Sequence, residues 1–186
     1  MPTRILLALI AIVLGLWALG AYNRLVRLRN AMLAAFSPLV GQLRQRHAVA
    51  LTLAEASSER MGTPAELVRV EQLRTAARRA GLASDQVQGN RLRAGALQQL
   101  AVAEETLMSA LDDLVEALQD LTSGTGPDPT VSGLLRQRDM LQEQIRFSRQ
   151  LYNQASDEHN RALALFPTTL VATLYGFHSA PEFPPI

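Results

Sequence analysis

The chain has 186 residues, 48% of them hydrophobic but only 5% aromatic, and it has no cysteine. That length suits one domain with its own core beside a membrane segment, and the absence of Cys excludes disulfides, thiolate metal centres, a cysteine nucleophile and lipid attachment through an N-terminal Cys, while leaving the redox compartment open. A net charge of +1 conceals an uneven spread: every basic residue is Arg, residues 1–54 hold Arg and no acid, and residues 94–135 hold acids and no base. Nucleic-acid binding is disfavoured, because acids balance the Arg and few aromatics interleave with them.

Residues 5–22, ILLALIAIVLGLWALGAY, are uncharged. As a helix they span about 27 Å at roughly 1.5 Å per residue, close to the ~30 Å hydrocarbon core of a bilayer. Trp17 and Tyr22 lie near the end of the run, where amphipathic rings favour the headgroup level, and Arg24, Arg27 and Arg29 follow at once. A cleaved signal would use Arg4 as its basic region and Ala18-Leu19-Gly20 as its cleavage site, but the run is longer than such a segment needs and the helical pattern continues past it. A buried soluble helix is seldom apolar all round for this length. The expectation is a transmembrane anchor over residues 1–22 that contacts the bilayer through 5–22. The Arg count on its two sides favours an outside N-terminus and a cytoplasmic domain.

The first helix is expected to run straight out of the membrane. Tyr22, Val26, Leu33, Phe36, Val40, Leu43, His47, Ala50 and Ala54 fall on one seam at steps of three and four, with a kink at Pro38. Thr63-Pro64-Ala65-Glu66 forms a capping box that opens a second helix, with Leu67, Val70, Leu73 (or Arg74), Ala77 and Ala80 on its apolar face and Gly81 as its stop. Residues 82–90 read as a connection. A third helix over about 91–121 has the seam Leu97, Leu100, Leu107, Leu111, Leu114, Leu118 and Leu121, interrupted by Glu104. Residues 123–129 hold two Gly and two Pro and read as a loop. A fourth helix to about 165 carries Leu134, Leu141, Ile145, Ser148, Tyr152, Ala155, His159, Ala162 and Phe166 on its seam, and Pro167 ends it. The fold expected over residues 23–177 is all-α, an antiparallel four-helix bundle continuous with the anchor.

Tyr22-Asn23-Arg24-Leu25-Val26-Arg27-Leu28-Arg29-Asn30 directly after the apolar run, then Gln42-Leu43-Arg44-Gln45-Arg46-His47, resembles the opening of the LemA family. Arg149, Tyr152-Asn153, Asn160, Phe166-Pro167, Leu170-Val171-Ala172 and Gly176-Phe177 are similar to that family's C-terminal signature. The likeness covers most of the chain and is weakest over about 60–115. The chain departs from the family pattern at Ala48, Leu51, Thr52, Gln119 and Gln142. The resemblance implies a membrane-anchored bundle of long antiparallel helices and brings no established enzymatic activity with it.

No constellation in the sequence carries chemistry. His47 and His159 fall on seams, yet neither has a Glu three residues before it, as a bundle metal site would want. Ser148 lacks a nucleophile-elbow setting. Glu104, Glu105, Asp112, Asp113, Glu116 and Asp120 spread around their helix and read as a solvated face. Asn23 and Asn30, and likewise Asn153 and Asn160, are seven apart, so each pair shares a helix face; Asn30 is expected beside Asn160, with the amides either paired and buried or exposed as polar positions flanking the seam. Arg24, Arg27, Arg29, Arg78, Arg79, Arg91, Arg93 and Arg161 are expected to gather toward the membrane, with residues 104–128 running to an acidic far tip. Residues 168–177 are expected to pack on Tyr22 and Val26 or to dip into the membrane interface, and residues 178–186 to form an irregular, mobile tail. Catalytic, cofactor-binding and metal residues are all assigned as none. The functional expectation is a non-enzymatic, single-pass scaffold or adaptor of a bacterial inner or plasma membrane, with unknown protein partners and no nucleic acid, cofactor or small-molecule substrate. The alternative is a subunit, non-catalytic or catalytic, of a membrane-associated enzyme.

Overall fold

A computed structural model of the chain describes residues 2–89, 94–122, 128–166 and 168–185. Among these residues it is all-α: α1 (Pro2–Ser58), α2 (Pro64–Gly89), α3 (Ala94–Thr122), α4 (Pro129–Ala164) and α5 (Thr168–Tyr175). The loop expected over 123–129 lies mostly outside the described residues, as does Pro167.

α1 is one uninterrupted helix through Pro38, which sits on its exposed side. Its first part is long and apolar enough to cross a membrane, and none of the most apolar window is covered by the rest of the protein. Beyond that run nearly all its buried residues fall on three rows at heptad spacing: Leu25, Met32, Leu39, Arg46 and Leu53; Phe36, Leu43, Ala50 and Ser57; and Val40, His47 and Ala54. The expected seam holds from Phe36 onward. Near the apolar run it is corrected: Leu33 is exposed, and Leu25 and Met32 turn inward. The cause lies at the other end of the chain, because Leu25 meets Val171 and Ala172 of α5, and Met32 shares a cluster with Tyr152 and Phe183.

The capping box forms as expected. Gly62 and Thr63 donate their amides to Glu66 Oε2 at 3.0 Å each, and the Glu66 amide donates to Thr63 Oγ1 at 3.3 Å. The Thr63 amide is the main cause holding the Glu66 carboxyl below its ordinary pKa. Gly81, however, does not end α2, which continues to Gly89. A glycine inside a helix costs about 1 kcal/mol, and burial of Ala83, Ser84 and Val87 on the same face outweighs it. At α4, Asp128 is the N-cap for Pro129, accepting from the amides of Thr130 and Val131, and its other oxygen pairs with Arg60 in the turn after α1.

Three apolar clusters succeed one another along α1. Leu25 packs with Ala162 of α4 and with α5. Residues from Met32 to Val49 pack with Ala83 and Val87, Leu97 and Leu100, and Leu141, Ile145 and Tyr152. Ala50, Leu53 and Ala54 pack with α2 from Val70 to Ala80, α3 from Leu107 to Leu118, and Val131. Several seam residues read from periodicity instead face outward: Leu67, Leu121 and Phe166 are exposed. The Arg grouping also needs correction. Arg44 pairs with Asp85, so Arg78 and Arg79, earlier on α2, lie farther from Tyr22 than Arg44 does. Arg91 and Arg93 are outside the described residues.

Candidate functional site

Between the second and third clusters the core turns polar. Arg46 occupies a heptad position on α1 that an aliphatic residue fills elsewhere, and its side chain has no exposed surface. One guanidinium nitrogen donates to Glu104 Oε2 at 2.5 Å, and the other donates to Gln142 Oε1 at 2.9 Å and lies 3.4 Å from Met108 Sδ. The second Glu104 oxygen meets His47 Nε2 at 2.6 Å. Glu104 is therefore buried, which overturns its reading as part of a solvated acidic face. Arg46 neutralises the carboxylate and both oxygens are bonded, which is what makes burial tolerable. With one bond at each oxygen and no exposed surface, this carboxylate ties α3 to α1, and Arg46 carries the link on to Gln142 of α4, while Arg46 Nε is buried without a protein partner. His47 Nδ1 and Ser84 Oγ are buried without a protein partner.

A second polar array lies on α4, and it holds the C-terminal tail. Asn160 brackets Ala180: its Nδ2 donates to the carbonyl and its Oδ1 accepts from the amide, both at 2.8 Å. Asn153 does the same to Phe183, at 3.0 and 2.8 Å. Between them the Tyr152 hydroxyl donates to the Pro181 carbonyl at 2.7 Å and the Ser156 hydroxyl to that of Ala180 at 3.2 Å. Arg149 reaches the Pro184 carbonyl at 3.1 Å, and His159 Nε2 sits 3.3 Å from that of His178. Burial pushes the Tyr152 hydroxyl up to about 12, so it remains a donor. Burial, with Arg29 adding to it, holds the His159 imidazole below its ordinary value, although the bond to His178 opposes the shift.

The tail is thus irregular, as the sequence implied, but it is docked rather than free. Phe183 is 1% exposed, in a cluster with Met32, Phe36 and Tyr152. The shared face of Asn153 and Asn160 was legible from their spacing, but the amide pair with Asn30 is not what they make. Both Asn160 groups are taken by Ala180, and Asn30 faces solvent.

The open concave surface lies between α2 and α3. It is a groove of about 860 Å³ with Leu67, Val68, Ala76, Val102 and Ala110 along it, edged by Glu71, Glu105 and Asp113 with Arg79 as the basic member. Val68 is 55% and Val102 53% exposed. Sequence reasoning put Leu67 in the core and did not single out Val68 or Val102. A second apolar surface belongs to α5, where Leu170 and Leu174 are exposed.

These features define an all-helical protein with a long apolar N-terminal helix, closed polar clamps inside and an open groove on one side. The LemA family model matches residues 35–184, and the chain belongs to the LemA family. The matched region begins beyond the apolar run and contains Arg46, His47, Glu104, the α4 array and the tail it holds. A comparison with curated proteins finds no significant match.

Proposed function

We propose that this protein is a single-pass membrane scaffold whose helical domain seats an amphipathic, basic helix of a partner protein in the α2/α3 groove, and that it catalyses no reaction itself. The observation that carries the reading is the groove. Its exposed valines offer an apolar floor of the kind that accepts helix anchors at three- and four-residue spacing, and Glu105 and Asp113, beside a Glu71 already paired with Arg74 and with Arg79 as the basic member of the groove, favour a cationic partner.

Membrane placement is supported by the uncovered apolar run and by Arg24, Arg27 and Arg29 just beyond it. The four long helices are read as an antiparallel bundle. In support, α1 meets α4 and α2 in reverse order and α3 in the same order through the three successive clusters. The Arg count around the span favours a cytoplasmic domain.

Proximity labelling from the full-length chain tests the proposal, with Val102→Glu as the comparison. That exposed position tolerates substitution with little effect on stability, while an added carboxylate removes the apolar contact. A defined set of neighbours should be labelled by the unaltered chain and lost in the variant. An unchanged set refutes the groove as the docking site.

A further inference from the structure

We infer that α5 is a second membrane contact, with its outer face lying in the headgroup region of the bilayer that α1 crosses. This rests on the anchor reading and adds to it.

Position is the first argument. α5 is held against α1 where the apolar run ends: Val171 and Ala172 pack on Leu25, with Ala18 and Ala21 against the same cluster. The Tyr175 ring lies 4.9 Å from that of Tyr22, and the Phe177 ring 5.9 Å. A bilayer that ends near Tyr22 therefore meets α5 from the side.

Exposure is the second. Val171 and Ala172 face the protein, but Leu170 is 63% exposed, Leu174 79% and Tyr175 60%, and Phe166 just before the helix is 81% exposed. Leu170 and Leu174 are four apart on α5, so they stack on one side of it. An apolar patch of this kind, confined to one short element, marks a contact rather than a solvated surface.

Chemistry is the third. Residues 162–181 contain no Asp, Glu, Lys or Arg, so nothing charged enters the interface with them. Arg24, Arg27 and Arg29, exposed just beyond the run, are placed for anionic headgroups. At roughly 1.5 Å per residue an eight-residue helix is about 12 Å long, too short to cross, so it lies along the surface as interfacial helices do. The chain's own tail does not cover this face, since residues 178–184 are engaged on α4.

The test uses full-length protein in vesicles of zwitterionic and anionic phospholipid, with brominated lipid as fluorescence quencher. Trp17 is the only tryptophan, so the unaltered chain reports on the anchor alone. In a Trp17→Phe background, Leu174→Trp reports on α5 and Leu67→Trp on a surface far from the membrane. The inference requires that the Leu174→Trp indole be blue-shifted and lose most of its emission to lipid brominated near the headgroup, with less loss to lipid brominated near the chain end. The Leu67→Trp indole should lose none. An indole at 174 that emits as in water overturns the inference while a quenched Trp17 leaves the anchor standing. An indole that is blue-shifted yet unquenched also overturns it, because a protein surface, such as a second copy of the chain, then covers α5. An unquenched Trp17 overturns the anchor and the inference together.

Discussion

Replacing Glu104 by Leu removes the counter-charge of an Arg46 side chain that has no exposed surface. Breaking a buried pair from one side costs about 3–5 kcal/mol, because the remaining charge stays desolvated. Gln142 still accepts from Arg46 at 2.9 Å, which moderates the loss, while His47 Nε2 loses its 2.6 Å partner, which adds to it. A net loss of about 3–5 kcal/mol lowers Tm by about 6–20 °C at the 2–4 °C per kcal/mol typical of 150–250 residues. The double variant Arg46→Met with Glu104→Leu removes both charges. Exchange of a whole buried pair for apolar side chains is often neutral or stabilising; here His47 and Gln142 each end one hydrogen bond short, about 1 kcal/mol apiece. The double variant should therefore regain most of what the single variant loses. The assay is thermal unfolding of the full-length protein in detergent, followed by helical circular dichroism. A Tm change below about 2 °C for Glu104→Leu refutes the buried-clamp account, as does a double variant no more stable than the single one.

Phe183→Ala should strip amide-exchange protection from Ala180 and Phe183 while leaving the helices protected. The usual 3–5 kcal/mol for a core Phe is here bounded by the free energy of docking, since the tail can leave as a unit. Asn160→Ala should have a smaller effect of the same kind, about 1–3 kcal/mol for two lost backbone partners. Docking should also depend on pH. The His159 pKa is lower when buried than its ordinary 6.5, so its contribution is fully present above 6.5 and is lost as pH falls from there through the folded value. Exchange at residues 178–184 should rise over that window, and His159→Phe should remove this contribution. Asp128→Ala should cost about 1 kcal/mol or somewhat more, read by urea unfolding, because it removes the α4 N-cap together with the Arg60 pair.

Where local rules and tertiary packing agreed, the sequence was a reliable guide. Thr63 and Glu66 cap α2, Asp128 and Pro129 open α4, and periodic Leu residues form the inner face of α3. The errors share one cause. Gly81 is a stop by local propensity, yet Ala83, Ser84 and Val87 are buried beyond it, and only long-range contacts decide between the two. Glu104 stands in an acidic helix, and its burial depends on Arg46, 58 positions away in the chain. The Asn153 and Asn160 spacing showed a common face but not its occupant, because a Pro-rich tail has no periodicity to mark it as a ligand. Phe183, between prolines, is the only aromatic residue of residues 179–186.

The unbroken course of α1 sets a height. From Tyr22 at the end of the apolar run to Ala50 is about 40 Å at roughly 1.5 Å per residue. Ala50 shares a cluster with Ala76, and Ala76 also lines the α2/α3 groove. With the proposed anchor in the bilayer, a helix bound there would be held well clear of the headgroups. If its owner is tethered in the same membrane, it needs a leader of about a dozen residues at the ~3.3 Å per residue of extended chain. Partners with shorter juxtamembrane segments are excluded by reach alone, whatever the affinity of their helices.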